Sequence, residues 1–471
     1  MRRPALTLLA MLAAALAFAG PAAAYEPSFG LYIQDEDVLN PQTGLRDAAA
    51  LGARHVRGDW RWWQIEPQRH RRYWSLADRY AEASARAGLD LVPTLVGSPR
   101  WASGSKLGFT APRDPRDYAR FAAAAARRYG PGGHFWRERP EVPYRPVRSW
   151  QIWNEPNLAS YWRPRPQPRR YAGLLRRSAE AIRSVDPGAE IVMAGLPMSS
   201  YGMPPQRFLK RLYRHGVRGA YDTLAVHPYG VNTTTTLAIV QQLKRVVDGQ
   251  NDRVPIRISE YGWANGGEPS LVTVDDRTHA DLVHESLLAL RAGAWRMRLV
   301  GMTYFKWHDR PAPSDRSDTW PFHTGLLDAQ GRGKRALHGA AAALRTRLPE
   351  LAPRFASRLR LEARVPARGV EALLEDGLLL RTACNRACRL EVAVSHERSR
   401  PGRTSVRTVV ARHVETLPDA RRRSVYVSVP RRAARAAGRP GHRLAVRLAA
   451  LDASGSADAL PPLVAPIRPA P

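Results

Sequence analysis

Between Trp150 and Asn157 the chain reads WQIWNEPN, and between Ile258 and Trp263 it reads ISEYGW. Each begins as an apolar strand-like run and ends in a carboxylate, Glu155 in the first and Glu260 in the second. Short apolar runs bounded by turn residues read as buried strands of a parallel sheet. Polar residues gathered at the C-terminal ends of such strands are what a (β/α)8 barrel presents at its functional face, where the βα loops converge.

The same alternation extends in both directions from these two segments. Strand candidates begin at Gly30 (GLYIQ), Arg54 (RHVRG), Leu89 (LDLVPTLV), Val147 (VRSWQIW), Glu190 (EIVMAG), Asp222 (DTLAVH), Pro255 (PIRISE) and Leu299 (LVGMTYF), and a helical pattern follows each. Asp114 is an N-cap with Pro115 at the first helical position; Tyr118, Phe121 and Ala125 then share a face until Gly130 stops the helix. After Pro168, the residues Tyr171, Leu174, Leu175, Ile182 and Val185 recur at helical spacing, and Asp186-Pro187-Gly188 turns the chain. Eight such units from Phe29 to Leu348 predict a closed (β/α)8 TIM barrel of the α/β class. An open doubly wound sheet would call for a Gly-rich phosphate loop after the first strand, and none is there.

Past Pro353 the pattern changes to LRLEARV, LEVAVS, SVYVSV and LAVRLAAL, separated by Arg, Pro and Gly, which predicts a small all-β, sandwich-like domain. At the other end Arg2 and Arg3 precede an apolar run from Ala5 to Ala19 and the small residues Ala22-Ala23-Ala24, the pattern of a secretory signal cleaved near Ala24-Tyr25. The expected division is a signal peptide over 1–24, a catalytic barrel over 25–350, a β-sandwich-like accessory domain over 355–460 and a Pro-rich tail over 461–471. The mature protein is expected to be secreted, with no integral membrane segment once the signal is removed.

Lys plus Arg number 73 against 42 Asp plus Glu, a net charge of +31. Arginine is spread over nearly every segment without a basic stripe or a nucleic-acid motif, so nucleic acid is not expected as a partner. Charge alone predicts weak attraction to anionic cell-wall polymers. The only cysteines, Cys384 and Cys388, are expected to pair in an oxidising compartment.

Cleaving an acetal needs a proton donor for the leaving oxygen and a carboxylate to meet the oxocarbenium-like centre, so two carboxyl groups must face each other across the bond. Glu155 and Glu260 satisfy this only if the fourth and seventh strands bring them together. The stretch from Phe29 to Leu348 resembles the clan A glycoside hydrolases, in particular the cellulase-like family five and the xylosidase-like family thirty-nine. The resemblance implies that Asn154-Glu155-Pro156 holds the acid/base, Glu155, and that Ser259-Glu260-Tyr261-Gly262 holds the nucleophile, Glu260. It further implies that Asn154 bonds the sugar 2-hydroxyl, that Arg57 and Tyr229 hold Glu260, that His227 lines the site and that Trp307 forms the sugar's floor. The third strand carries Ser98 and Trp101 where family five has a histidine, which is closer to family thirty-nine.

The expected activity is retaining hydrolysis of a β-linked glycoside or polysaccharide, a reaction on O-glycosyl compounds needing neither cofactor nor metal. Two alternatives use the same barrel: a carbohydrate- or cell-wall-binding protein without turnover, and a transglycosylase passing the glycosyl group to a second sugar. Trp60, Trp63, Trp101, Trp162, Trp263 and Trp307 follow strands, where flat rings can stack on sugars or simply fill core. Asp309, Asp315 and Asp318 in the loop after the eighth strand could bind a metal, but acidic loop residues are more often solvated.

Overall fold

A computed structural model describes residues 26–39, 44–198, 202–347, 361–384, 388–400, 403–417, 423–451, 457–459 and 463–468. The expected signal peptide and its cleavage site, the boundaries near 350 and 355, and the ends of the Pro-rich tail lie outside the described residues.

Eight parallel strands form the first unit: β1 (Ser28–Tyr32), β2 (His55–Arg61), β3 (Asp90–Val96), β4 (Ser149–Ile152), β5 (Glu190–Met193), β6 (Leu224–His227), β7 (Ile256–Tyr261) and β8 (Leu299–Tyr304). Each is followed by a helix: α1 (Leu45–Leu51), α2 (Ser75–Arg86), α3 (Pro115–Tyr129), α4 (Pro168–Arg183), α5 (Pro205–Arg214), α6 (Thr233–Asp248), α7 (Asp276–Met297) and α8 (Arg335–Arg345). Neighbouring strands pair in chain order, and β8 returns to β1. The ring closes where Val192 bridges Thr223 and where Leu196 and Pro197, just beyond β5, pair with Val226 and His227. This is the (β/α)8 fold that the alternation predicts, and α3 starts as expected, with the Asp114 carboxylate accepting from the Arg116 amide.

Period-two alternation decides what faces inward. On β2, Val56 and Trp60 pack outward under the helices; Gly58 lies against Tyr80 of α2, whose ring would meet an added Cβ at 2.3 Å. His55 and Arg57 therefore point into the barrel, where His55 bonds Thr303 at 2.9 Å and Arg57 bonds Gln151 of β4 at 2.8 Å. The interior is thus partly polar, and Arg57 is the long inward side chain that reaches up to the mouth.

The strand β7 breaks the alternation at the position that matters most. Its register with β8 shifts between Ile258 and Tyr261, so that Ser259 and Glu260 oppose a single partner position. A bulge of this kind re-aims side chains. Both successive residues face the barrel mouth instead of opposite sides.

The C-terminal unit has its own apolar core, built from residues such as Leu378, Leu380, Leu390, Val392, Leu444 and Val446. Leu361–Arg364, Leu378–Cys384 and Arg423–Val427 make one antiparallel sheet; Cys388–Arg400, Arg403–Leu417 and His442–Leu451 make the body of another. Two short helices, Val370–Glu375 and Arg431–Ala437, add Leu373 and Ala434 to that core, a departure from an all-β unit that strand alternation does not reveal. Cys384 and Cys388 form a disulfide with an S–S distance of 2.05 Å. An ion pair between Arg389 and Glu285 at 3.6 Å ties this unit to α7 of the barrel. No helix among the described residues is long and apolar enough to cross a membrane.

Candidate active site

The barrel mouth brings together residues that are far apart in the chain. Arg57 donates to Glu260 Oε1 at 2.8 Å and, through its other terminal nitrogen, to Asn154 Oδ1 at 2.9 Å. The Tyr229 hydroxyl donates to the second oxygen of Glu260 at 2.9 Å. His227 Nδ1 lies 2.7 Å from Glu155 Oε1 and 3.5 Å from Glu260 Oε2. An oxygen of Glu155 and one of Glu260 stand within 4.8 Å of each other. Glu155 follows β4 in a left-handed backbone conformation, φ 46°, two residues after Trp153 at φ 69°. Non-glycine residues are held in that region only where surrounding contacts determine it, and such sites cluster at functional centres.

The two carboxylates differ in what touches them. Burial raises the Glu155 carboxyl to about 8, Arg57 opposes and Asp59 adds to the rise, so Glu155 carries a proton at neutral pH. Burial raises Glu260 as well, with Glu155 and Asp59 adding to the rise; the Arg57 guanidinium opposes it, and the carboxyl stays above its ordinary value. Of the pair, the carboxylate in contact with a fixed cation is the one that ionises more readily. Burial lowers His227 to about 4, so its imidazole is neutral and has one proton to place. The Ser259 hydroxyl lies 3.0 Å from His227 Nε2. A hydroxyl donating to Nε2 leaves the proton on Nδ1, facing the carboxylate pair.

The imidazole is also fixed by shape. Gly195, just past β5, lies so close beneath it that an added Cβ would come within 2.0 Å of Nε2. Gly195→Ala is therefore expected to displace His227, lowering the urea midpoint by the equivalent of about 1–3 kcal/mol and reducing activity; an unchanged midpoint with unchanged turnover would contradict this packing.

Among the described residues Glu155, His227 and Glu260 are also the one group whose ligand atoms converge closely enough for a metal. The guanidinium already bound to Glu260 puts a positive charge beside that position, so a divalent ion would meet repulsion as well as a carboxylate in use. In the loop after β8, Asp309 is held by Lys334 and the Gly325 amide, and Asp318 by His323; these carboxylates have protein partners.

Arg57, Asn154, Glu155, His227, Tyr229 and Glu260 thus share one site. Of the tryptophans that follow strands, Trp63 and Trp101 are part-exposed, whereas Trp60, Trp162, Trp263 and Trp307 are buried. Trp307, expected as the sugar's floor, is 1% exposed, with its backbone bonded to Tyr32 and Leu327 and its ring edge-on to His308. Phe305, two positions earlier, is part-exposed, its ring 4.7 Å from that of Tyr32 and 6.3 Å from that of Tyr229. Trp263 is fully buried and donates to Gly230 O, so it supports the Tyr229 loop from below. Trp60 and Trp162 are core residues too. Trp101 is part-exposed but bonds Glu66 O, packs on Trp62 and lies under Arg69, contacts that tie it to the loop after β2. Tyr32, Asp59 and Phe305 escaped the sequence reading, and Ser259 and Trp320 were given no place in the site by it. Asp59 could have been found, since it lies two positions after Arg57 and so on the same face of β2.

The closed barrel has the fold of the clan A glycoside hydrolases, and solved structures that it matches include glycoside hydrolases. They include a monomeric β-xylosidase from Caulobacter crescentus CB15, 14% identical with a TM-score of 0.52, covering 80% of this chain and 84% of that one. The GH39 enzyme from Xanthomonas axonopodis pv. citri is 13% identical with a TM-score of 0.53, covering 86% of this chain and 94% of that one. The GH5_18 enzyme of Streptomyces cattleya, solved in complex with GlcNAc, is 20% identical with a TM-score of 0.50 over 70% of this chain and 83% of that one. No family's sequence pattern matches the chain, and no curated protein matches it in sequence.

Proposed function

We propose that this protein is a secreted retaining glycoside hydrolase acting on a β-linked glycoside or polysaccharide, with Glu260 as nucleophile and Glu155 as acid and then base. The observation that carries the reading is the approach of the two carboxylates to within 4.8 Å. Retaining enzymes hold the pair about 5–5.5 Å apart, whereas inverting ones need about 6.5–9.5 Å to admit a water. The β-linkage rests on the likeness to clan A enzymes, and export rests on the leader sequence.

In the first step a Glu260 oxygen attacks the anomeric carbon while Glu155 gives its proton to the leaving oxygen; the glycosidic bond breaks and an ester to Glu260 forms. In the tautomer with its proton on Nδ1, His227, 2.7 Å from Glu155 Oε1, bonds that oxygen and leaves the other to carry the transferable proton. Ester formation removes the negative charge of Glu260, so Glu155 becomes easier to ionise, as its second task requires. Ionised Glu155 then takes a proton from water, which attacks the anomeric carbon and frees Glu260. Arg57 and Asn154 keep their bonds to the site throughout, and Asn154 is placed to meet the sugar 2-hydroxyl.

The test is incubation with plant, fungal and bacterial polysaccharides and aryl β-glycosides. Released sugars are read by mass, and the first-formed anomer by NMR. Retention of configuration is expected; a first product of inverted configuration would overturn the mechanism, and no cleavage across the panel would overturn the activity.

A further inference from the structure

A row of part-exposed aromatic rings leads away from Glu155. Tyr161 is the first: its neighbouring turn is closed by the Leu158 amide on Glu155 O at 2.9 Å, and its own carbonyl accepts from Trp153 Nε1 at 2.8 Å. Phe109 follows, 4.8 Å from Tyr161 between ring centroids and held alongside by the Arg163 amide on Phe109 O. Trp63 stands 5.2 Å beyond Phe109. The adjacent Trp62, Trp153 and Trp162 are buried, whereas Tyr161, Phe109 and Trp63 stay part-exposed.

Trp63 is also mounted in an unusual way. Its ring lies against Gly97 and Gly108, where an added Cβ would come within 1.9 Å and 2.6 Å of ring atoms. Gly97 adopts φ +79°, and the Ser98 amide bonds Gly108 O at 2.7 Å, drawing the two glycines together beneath the indole. The indole held against these two glycines stays part-exposed, and an exposed indole surface can stack on a flat partner.

Chemistry gives this row a direction. Glu155 must protonate the leaving oxygen, so the departing group lies on the Glu155 side of the cleaved bond, and the row begins there. The geometry points to a leaving-group subsite formed by Tyr161, Phe109 and Trp63, which takes a flat group with an apolar face: a second pyranose ring or an aryl aglycone. This rests on the glycosidase reading above and specifies its substrate class as one with a ring on both sides of the bond. A second group of rings, Phe305, Tyr229 and Trp320, with Tyr229 bonded to Glu260, then belongs to the sugar retained on Glu260.

The experiment compares three substrates with one glycosyl group, chosen from whatever the enzyme cleaves: the glycosyl fluoride, whose leaving atom is too small to reach Phe109, a nitrophenyl glycoside and a disaccharide. For Trp63→Ala the loss in kcat/KM on the disaccharide and the aryl glycoside is expected to exceed the loss on the fluoride by about tenfold or more. Trp63→Phe, which keeps a ring on the two glycines, is expected to recover much of the difference, and melting curves check that both variants fold. Equal losses on all three substrates would overturn the subsite while leaving the glycosidase reading intact. Failure of the wild type to turn over any glycosyl fluoride or glycoside would overturn both.

Discussion

Glu260→Ala is expected to lower kcat/KM by about 10^4-fold or more, roughly 5.5 kcal/mol of transition-state stabilisation, because no other group can form the covalent intermediate. The structure also says what the empty position should do. Arg57, 1% exposed, the Tyr229 hydroxyl and His227 Nδ1 all converge on the vacated space. Removing one partner of a buried ion pair typically costs about 3–5 kcal/mol, so a small anion should be welcome there. Azide at high concentration is expected to restore turnover of an activated aryl glycoside: it attacks the anomeric carbon from the nucleophile's side while the phenolate leaves, giving a glycosyl azide of inverted configuration. Glu260→Gln keeps the volume and, through its one carbonyl oxygen, an acceptor for Arg57, and a melting curve checks that the loss is chemical and not a failure to fold. Full activity in either variant would remove Glu260 from its role, and rescue without formation of glycosyl azide would contradict the geometry.

The parts of this site that could be read from the chain and the parts that could not divide along a physical line. WQIWNEPN and ISEYGW announce strand ends carrying carboxylates, and the counted series of eight units places those ends at one face of a barrel. Strand-end residue type is local information, which is why Asn154, Glu155, His227, Tyr229 and Glu260 were legible. What remained hidden depends on register and packing. Strict alternation would send Ser259 and Glu260 to opposite faces; the bulge against β8 sends both to the mouth, and nothing in the letters marks it. Trp307 was expected as a sugar platform by its ring and its position after β8, yet it is 1% exposed with its backbone bonded to Tyr32 and Leu327, while the plainer Phe305 stays part-exposed. Gly195 and Gly97 carry no chemistry of their own and acquire meaning only from the His227 and Trp63 rings laid against them.

The second large effect concerns pH. The competent free enzyme has Glu155 protonated and Glu260 ionised, and Glu155 stands at about 8. As pH rises through that value Glu155 loses the proton it must deliver, so kcat/KM is expected to fall on the alkaline side with a midpoint near the Glu155 value; on the acid side it falls as Glu260 becomes protonated. Glu155→Gln removes the titrating group, and the alkaline limb should go with it. The size of the loss should depend on the leaving group. A sugar alkoxide needs the proton, and the loss there is expected to be about 10^2–10^4-fold. Dinitrophenolate leaves without one, so glycosylation by that substrate should be slowed little, and the ester to Glu260 should accumulate because water then lacks its base. Mass spectrometry of the intact variant would show that adduct. If the alkaline limb survived in Glu155→Gln, its source would be another group. Tyr229 and Tyr161 can be set aside, because burial and the nearby carboxylates hold both phenols well above their ordinary range. Lys306, lowered to about 8 by burial, has its amine directed at Gln34, so Lys306→Met would be the variant that reassigns the limb.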